Sequence, residues 1–454
     1  MIAPARRSAH RVLRDVGAER LDLSSAIARA RQGLADPRDR ALAGEIAIGT
    51  LRWRAALDYQ MGNVSLRPIE RIDPEVLDVI RAATYQLLFL DRVPKWAIVH
   101  DAVELTREIG KSSACTFVNA VLRRLAESPQ KKTLPSRPEI PASGILNRVA
   151  ALDYLAVTLS HPLWLVKRWF NRYGFDAATD WVRQNNEPAP VTLCANALKT
   201  NVKRLAERLL DFGVVTESGC SAPHALTVIE GNPLATPLAT EGWFLIQGQA
   251  SQLITELVGA TSDSRVLDTC AAPGGKSVGL AGAMENRGML VVADFRPRRI
   301  TLLKQTMVRC AVRPATVVRL NLSRPLPFGP IFDRVLVDAP CSGLGTIRRN
   351  PDIKWRRDES ALAVFANRQR EMLEQAAAVV RQGGWLIYAT CSSEPEENED
   401  VVESFLSDHN NFEPIVPTNS FVTPFLTSRG HLRTLPFRDQ LEAVYAAILR
   451  RRIL

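Results

Sequence analysis

The chain has 454 residues, 46% of them apolar and 23% charged, which suits about two to four packed domains of ~100–200 residues rather than a disordered polymer. No apolar run approaches the ~20 residues that span a bilayer, and the start MIAPARRSAHRVLRDV has no apolar signal core, so a cytoplasmic chain without a membrane partner is expected. The net charge of +10 admits a polyanionic partner such as nucleic acid, though charge alone does not select one.

Residues 1–130 predict an all-helical domain. In PEVLDVIRAATYQLLFL the apolar positions Leu77, Ile80, Tyr85 and Leu88 fall on one helical face. Pro74 and Pro94 sit where helices start. Residues 1–135 hold 22 Lys and Arg against 16 Asp and Glu, so much of the excess positive charge lies here. Residues 131–148 read as a linker, with prolines 135, 138 and 141 and little apolar periodicity. Residues 149–260 mix a helix, HPLWLVKRWFNRYG, with short strands, and predict a small α+β module. From 261 to 454 strands and helices alternate: SRVLDTC, GMLVVADF, ATVVRLN, DRVLVDAP and GGWLIYATC are the expected strands. Short apolar runs with helices between them predict an α/β domain, a parallel sheet covered on both faces.

The segment VLDTCAAPGGKS runs from a strand through a glycine turn into a helix. Gly274 and Gly275 permit positive φ and close approach of the backbone to a ligand. The spacing is neither GxGxxG nor GxxxxGKS, which disfavours a phosphate cradle. The next strand ends at Asp294, about 20 residues on, where an acidic side chain can hold ribose hydroxyls. Together these indicate a nucleoside-containing cofactor. A lone strand-end Asp would otherwise read as a helix cap.

Seven cysteines (115, 194, 220, 270, 310, 341, 391) are scattered without a CxxC pair, and the six histidines do not cluster. Neither a disulfide framework nor a metal site is expected. Cys341, in DAPCSGLGT, and Cys391, in ATCSSEPEEN, stand apart from the others. Each follows an apolar strand, in a Pro, Ser or Gly turn, and so falls at the rim where open α/β sheets bind ligands. The plainer reading, a small buried hydrophobe, suits Cys115, Cys194, Cys220 and Cys310 better.

The set CAAPGGK, DAPCSGLG and TCS resembles the RNA 5-methylcytosine methyltransferase family. With IRRNPDIKWRR beside DAPCS, it is similar to the bacterial 16S ribosomal RNA cytosine-5 methyltransferase B branch, the Fmu/Sun proteins. YQLLFLDRVPKWAIVHDAVELTR and FVNAVLRRL resemble that branch's NusB-like helical domain. The resemblance implies a Rossmann-like S-adenosylmethionine-dependent methyltransferase sheet, an N-terminal NusB-like domain and the α+β module between them. It implies S-adenosyl-L-methionine as cofactor, S-adenosyl-L-homocysteine as product, and 16S ribosomal RNA as partner of a monomeric enzyme. It gives Cys391 the attack on cytosine C6 and Cys341 the release of product; the residues alone leave that choice open, because DNA cytosine methyltransferases use a cysteine after proline. Covalent addition suits the substrate, since cytosine C5 is too weakly nucleophilic until C6 carries a thiolate. Asp338 is expected to hydrogen-bond the cytosine or the cofactor, unless it only caps its turn. Cofactor contacts fall to Cys270, Ala271, Ala272, Pro273, Gly274, Gly275, Lys276, Asp294, Asn321 and Asp338.

The chain departs from the family pattern in places. Asn321 stands where an Asp is usual near the adenine amine; its amide oxygen can still accept. Gly248 replaces an Asp, Cys194 stands in a region that commonly carries Arg, and the final strands lack Asp-Gly-Phe-Phe. In RRNPDIKWRR, the basic residues Arg348, Arg349, Lys354 and Arg356 and the indole of Trp355 are expected to bind RNA phosphate and stack on a base. A solvated charged turn would explain the charges alone. The competing function is a non-catalytic RNA-binding factor of antitermination type, in which the helical domain is the active part.

Overall fold

The computed structural model describes residues 2–65, 67–127, 134–139, 146–313 and 315–453. Of the expected linker, residues 131–133 and 140–145 lie outside these. The chain divides into two units: Met1–Pro188 with Ile347–Arg357, and Ala189–Thr346 with Asp358–Leu454.

The first unit is helical. In the helix Pro74–Phe89, Asp73 accepts the Glu75 amide and Pro74 occupies the first turn, where its missing N–H costs nothing. Leu77, Ile80 and Tyr85 are buried as the periodicity requires, and Leu88 is half-buried. Val76 and Ile80 join Ile98 and Leu105 of the helix Lys95–Glu108 and Val118 and Leu122 of Cys115–Glu127 in one core. A second core sets Ala9, Val12 and Val16 of the helix Pro4–Gly17 against Ile46 and Ala47 of Pro37–Arg52. The helices Leu163–Tyr173 and Phe175–Asn186, grouped by sequence with the strands that follow, belong to this unit. They are joined by Trp169 and Trp181, both fully buried and stacked with ring centroids 4.4 Å apart.

The second unit holds two sheets. The smaller comprises β1 (Thr192–Ala195), β2 (Val215–Ser218), β3 (Ala225–Glu230) and β4 (Phe244–Ile246), in the antiparallel order β2-β3-β1-β4. The larger comprises β5 (Arg265–Asp268), β6 (Met289–Asp294), β7 (Ala315–Arg319), β8 (Phe332–Asp338), β9 (Val380–Thr390), β10 (Phe412–Ile415), β11 (Leu432–Arg433) and β12 (Tyr445–Arg451). Its order is β10-β12-β9-β8-β5-β6-β7, with β11 on β12. The five strands expected from sequence pair in parallel. The wholly parallel expectation is corrected at the far edge, where β12 runs antiparallel between β9 and β10.

Alternation along the parallel strands loads both faces. Val266, Leu290, Leu336 and Ile387 enter one core, and Leu267, Val291, Val335, Val337 and Tyr388 the other. The chain leaves β5 toward β6 and β7, then returns to place β8 on the other side of β5. That reversal opens a crevice at the carboxyl ends of β5 and β8, the place where open α/β sheets bind ligands.

Candidate active site

The turn after β5 is stitched to both neighbouring strands. The Thr269 amide and hydroxyl donate to the Leu336 carbonyl at 3.0 and 2.9 Å, and the Ala271 amide donates to Ala293 at 2.8 Å. Gly274 has φ +113°, and a Cβ there would press on Met307 and Thr306 at 2.9 and 3.0 Å, so glycine is required. The helix Gly275–Ala283 then begins, and Lys276 reaches Asp338 at the end of β8 with Nζ–Oδ2 at 2.6 Å.

Two buried carboxylates face this turn's surroundings. Asp268 accepts from Ser277 Oγ at 2.6 Å through Oδ2, while its Oδ1 has no hydrogen-bond partner. Burial, chiefly, pushes its carboxyl up to about 7. Asp294 accepts the Arg296 amide at 3.2 Å on Oδ1, and Arg299 Nε lies 3.2 Å from Oδ2 without hydrogen-bond alignment. Asn321 lies just past β7, beside the Leu320 amide that donates to the Asp294 carbonyl at 3.2 Å. Its Oδ1 accepts the Ser323 amide at 3.0 Å, so the oxygen expected to meet adenine already closes a turn.

The two strand-end thiols converge. Asp338 pairs with Ala389 across β8 and β9, which brings the turns after both strands side by side. Cys341 Sγ and Cys391 Sγ are 3.1 Å apart, and both residues are half-buried. The Gly345 amide donates to the Cys391 carbonyl at 2.9 Å. The Cys341 thiol is held well above its ordinary range, first by its hydrogen bond to Cys391, then by burial and by the charges of Cys391 and Glu397. Either sulfur can be the donor in that contact. Burial opposes the Lys276 charge, but Asp338, through its charge and its hydrogen bond, together with Asp268 and Cys391, outweighs it and holds the ammonium above its ordinary range.

A profile for the 16S rRNA methyltransferase RsmB/F family matches residues 256–450, one for the NusB family matches 3–127, and one for the RsmF/B-like ferredoxin-like domain matches 161–235. The probable ribosomal RNA small subunit methyltransferase B of Bacillus subtilis is 32% identical, with 91% of each chain covered. The chain belongs to the RsmB/F family of 16S rRNA methyltransferases. The ribosomal RNA small subunit methyltransferase B of Pseudomonas putida is 30% identical over 88% of each chain. Among solved structures, that of PH0851 gives a TM-score of 0.82 at 24% identity over 99% of each chain. A methyltransferase homolog from Pyrococcus horikoshii gives 0.58 at 26% identity, covering 67% of this chain and 99% of its own.

This RsmB/F methyltransferase has the strand order and glycine turn of an S-adenosylmethionine-dependent enzyme. The residues fit that cofactor. The acceptor Oδ1 of Asp268 is buried and unsatisfied, a state that a donor group of a ligand relieves. Among the described residues no cluster could hold a metal ion, and no helix is long and apolar enough to cross a membrane.

Residues 347–357 belong to the helical unit. Lys354 is fully buried, and its Nζ donates to the Arg52 carbonyl at 2.9 Å. The Trp355 indole N–H donates to the Leu51 carbonyl at 2.6 Å, and Arg54 lies over the ring at 5.4 Å. The phosphate expectation is corrected for Lys354, whose ammonium is buried against a carbonyl; the polar groups of Lys354 and the half-buried Trp355 close the end of the helix Pro37–Arg52, whose last carbonyls lack helical partners. Arg348 pairs with Glu187 at 3.4 Å and Arg356 with Asp352 at 3.3 Å, while Arg349 is half-buried.

Sequence reasoning passed over three side chains. Asp268 was legible as the last residue of a strand before the glycine turn. Glu397 and Asn398 lie in PEEN after the Cys391 turn, and only the folded chain shows them buried beneath both thiol turns.

Proposed function

We propose that the chain transfers a methyl group from S-adenosylmethionine to C5 of a cytosine in 16S ribosomal RNA, through a bond between Cys391 Sγ and cytosine C6. The observation that carries this reading is the 3.1 Å approach of the two thiols at the crevice beside the glycine turn. In this reading Cys270 to Lys276, Asp268 and Asp294 hold the cofactor, with Asn321 near its base. The cofactor supplies the methyl group.

Cys391 supplies the thiolate, the form in which a cysteine attacks. The thiolate adds to C6, N3 takes up a proton from solvent and returns it after C5 is methylated, and C5 gains the electron density to accept methyl. Asp338, oriented by Lys276, faces the cytosine and favours the proton shift. The C5 proton must then leave. While Cys391 is a thiolate, Cys341 is held as a thiol. Once Cys391 is a thioether, that bond and that charge are gone; Cys341 gives its proton to solvent and, as thiolate, serves as base. Removal of the C5 proton reforms the C5–C6 double bond and expels the Cys391 thiolate. A cytosine within a duplex shields C6, so the target is single-stranded or flipped out.

Tritium transfer from labelled S-adenosylmethionine to 16S RNA, followed by bisulfite sequencing, tests the activity. Cys341→Ser should accumulate a covalent protein–RNA adduct on a denaturing gel, and Cys391→Ser should give none. The reverse pattern would exchange the two roles, and no transfer by the unaltered protein would favour the non-catalytic RNA-binding reading.

A further inference from the structure

Beneath the thiols lies a carboxylate that this mechanism does not use. Glu397 is fully buried. Its Oε1 accepts the Ser342 amide at 2.8 Å and Gln369 Nε2 at 3.0 Å. Its Oε2 accepts the hydroxyls of Ser342 and Ser392, each at 2.5 Å. Ser342 follows Cys341, and Ser392 follows Cys391. The Glu397 carbonyl accepts the Tyr388 hydroxyl at 2.6 Å, which ties the backbone to β9. A fully buried carboxylate is costly unless several donors compensate it, and here most of the donors come from the two thiol turns.

We infer that Glu397 is a positioning residue for catalysis: by accepting from Ser342 and Ser392 together, it holds the Cys341 and Cys391 turns at the spacing that both thiol steps require. The inference rests on the proposed two-thiol reading. The turns do not depend on it equally. The Cys391 turn has further ties: Asn398 Nδ2 donates to the Ser392 carbonyl at 3.1 Å, and the Ser392 amide donates to Thr390 Oγ1 at 3.2 Å. The Cys341 turn takes two contacts from Glu397 itself, on the Ser342 amide and hydroxyl, against one for the Cys391 turn; beside them stand the Gln369 Nε2 donation to the Pro340 carbonyl at 3.1 Å and the contact of the Ser342 and Ser392 hydroxyls at 3.2 Å. Loss of the carboxylate therefore displaces Cys341 more than Cys391, and impairs release more than attack.

The chemistry also ranks the substitutions. In Glu397→Gln the amide oxygen can accept at the Oε1 position, while the amide nitrogen donates to both serine hydroxyls, which reverse their own direction. Glutamine thus preserves the tie and loses only the charge, whereas alanine loses both.

The test measures kcat, S-adenosylmethionine affinity and adduct in the full-length protein. Displacement by an ångström can cost on the order of 100-fold in rate. Glu397→Ala should lower kcat by about that factor, keep cofactor Kd within about threefold, and accumulate protein–RNA adduct; Glu397→Gln should recover most of the loss. Unchanged kcat, a matching loss of cofactor affinity, absence of adduct, or glutamine as poor as alanine would each overturn the inference. If Glu397→Ala does not fold, Ser342→Ala removes one tie and should cost about tenfold in kcat, a result that wild-type activity would refute. A second readout does not depend on methyl transfer. Diamide oxidises two thiols to a disulfide, taking up their two hydrogens to become the hydrazine. The Cys341–Cys391 disulfide, quantified by mass spectrometry, should form about tenfold more slowly in Glu397→Ala, and equal rates count against the inference. Should Cys341→Ser in the otherwise unaltered protein trap no adduct, the cytosine reading fails, and the diamide rates still decide the role of Glu397.

Discussion

Lys354→Met separates a phosphate ligand from a structural side chain. A lysine bound to a single-strand phosphate contributes ~0.7 to the slope of log K against log salt. Losing it would change the ratio of affinities at 50 and 200 mM salt by about 2.6-fold. The Lys354 ammonium is instead fully buried against the Arg52 carbonyl, so the expected change in slope is zero. Fluorescence anisotropy with a 16S RNA fragment across that salt range measures it. The same variant should alter stability in a defined way. Burial and the nearby Arg52 charge hold the Lys354 ammonium well below its ordinary 10.5. The folded state then binds fewer protons than the unfolded state between that lowered value and 10.5, so stability rises with pH across the window. Methionine removes this contribution to the rise. A slope reduced by ~0.7, with the pH dependence intact, would show that Lys354 reaches RNA and refute the reasoning.

Further outcomes follow from the site. Asp268, with its carboxyl at about 7, should bind the cationic cofactor more tightly as pH rises through neutrality; Asp268→Asn should flatten the calorimetric Kd between pH 6 and 8.5 and weaken binding at the upper end. Its raised value also means that the folded protein loses stability as pH rises from about 4 to 7, so the cofactor-free Asn variant should melt higher than the parent at pH 8. Gly345→Ala places a Cβ against the Ala443 carbonyl and 2.8 Å from that of Cys391; kcat should fall by roughly 100-fold with cofactor affinity retained, and a normal kcat would show that the turn tolerates the shift. Trp355→Phe leaves the Leu51 carbonyl without its indole donor and should lower unfolding free energy by about 1–2 kcal/mol in chemical denaturation, whereas a loss of RNA affinity at unchanged stability would contradict the placement.

The parallel strands and both thiol turns were legible because their signals are local. An apolar run, a following Pro or Gly turn and a cysteine lie within a few residues of one another, and sheet topology then brings such strand ends together. The antiparallel edge was less legible, since nothing local in the β12 sequence says which strand it joins. The partners of Lys354 and Trp355 were hidden for the same reason. Lys354 and Trp355 have the composition of an RNA-binding turn, but their partners are the carbonyls of Leu51 and Arg52, some 300 positions earlier. Glu397 was equally hidden, because a glutamate in PEEN looks like a solvated helix start until Ser342 and Ser392 are seen to surround it.

The helical unit is made of two stretches of chain, and the second is completed only at Arg357. On the ribosome, Pro188 is therefore synthesised about 170 residues before the last piece of its own unit. At bacterial elongation rates of ~5–20 residues per second that interval is roughly 10–30 s. During it the Leu51 and Arg52 carbonyls lack the donors they have in the finished fold, while four of the eight strands of the larger sheet, β5 to β8, are made. A fragment ending near residue 188 would lack the Lys354 and Trp355 donors to those carbonyls permanently.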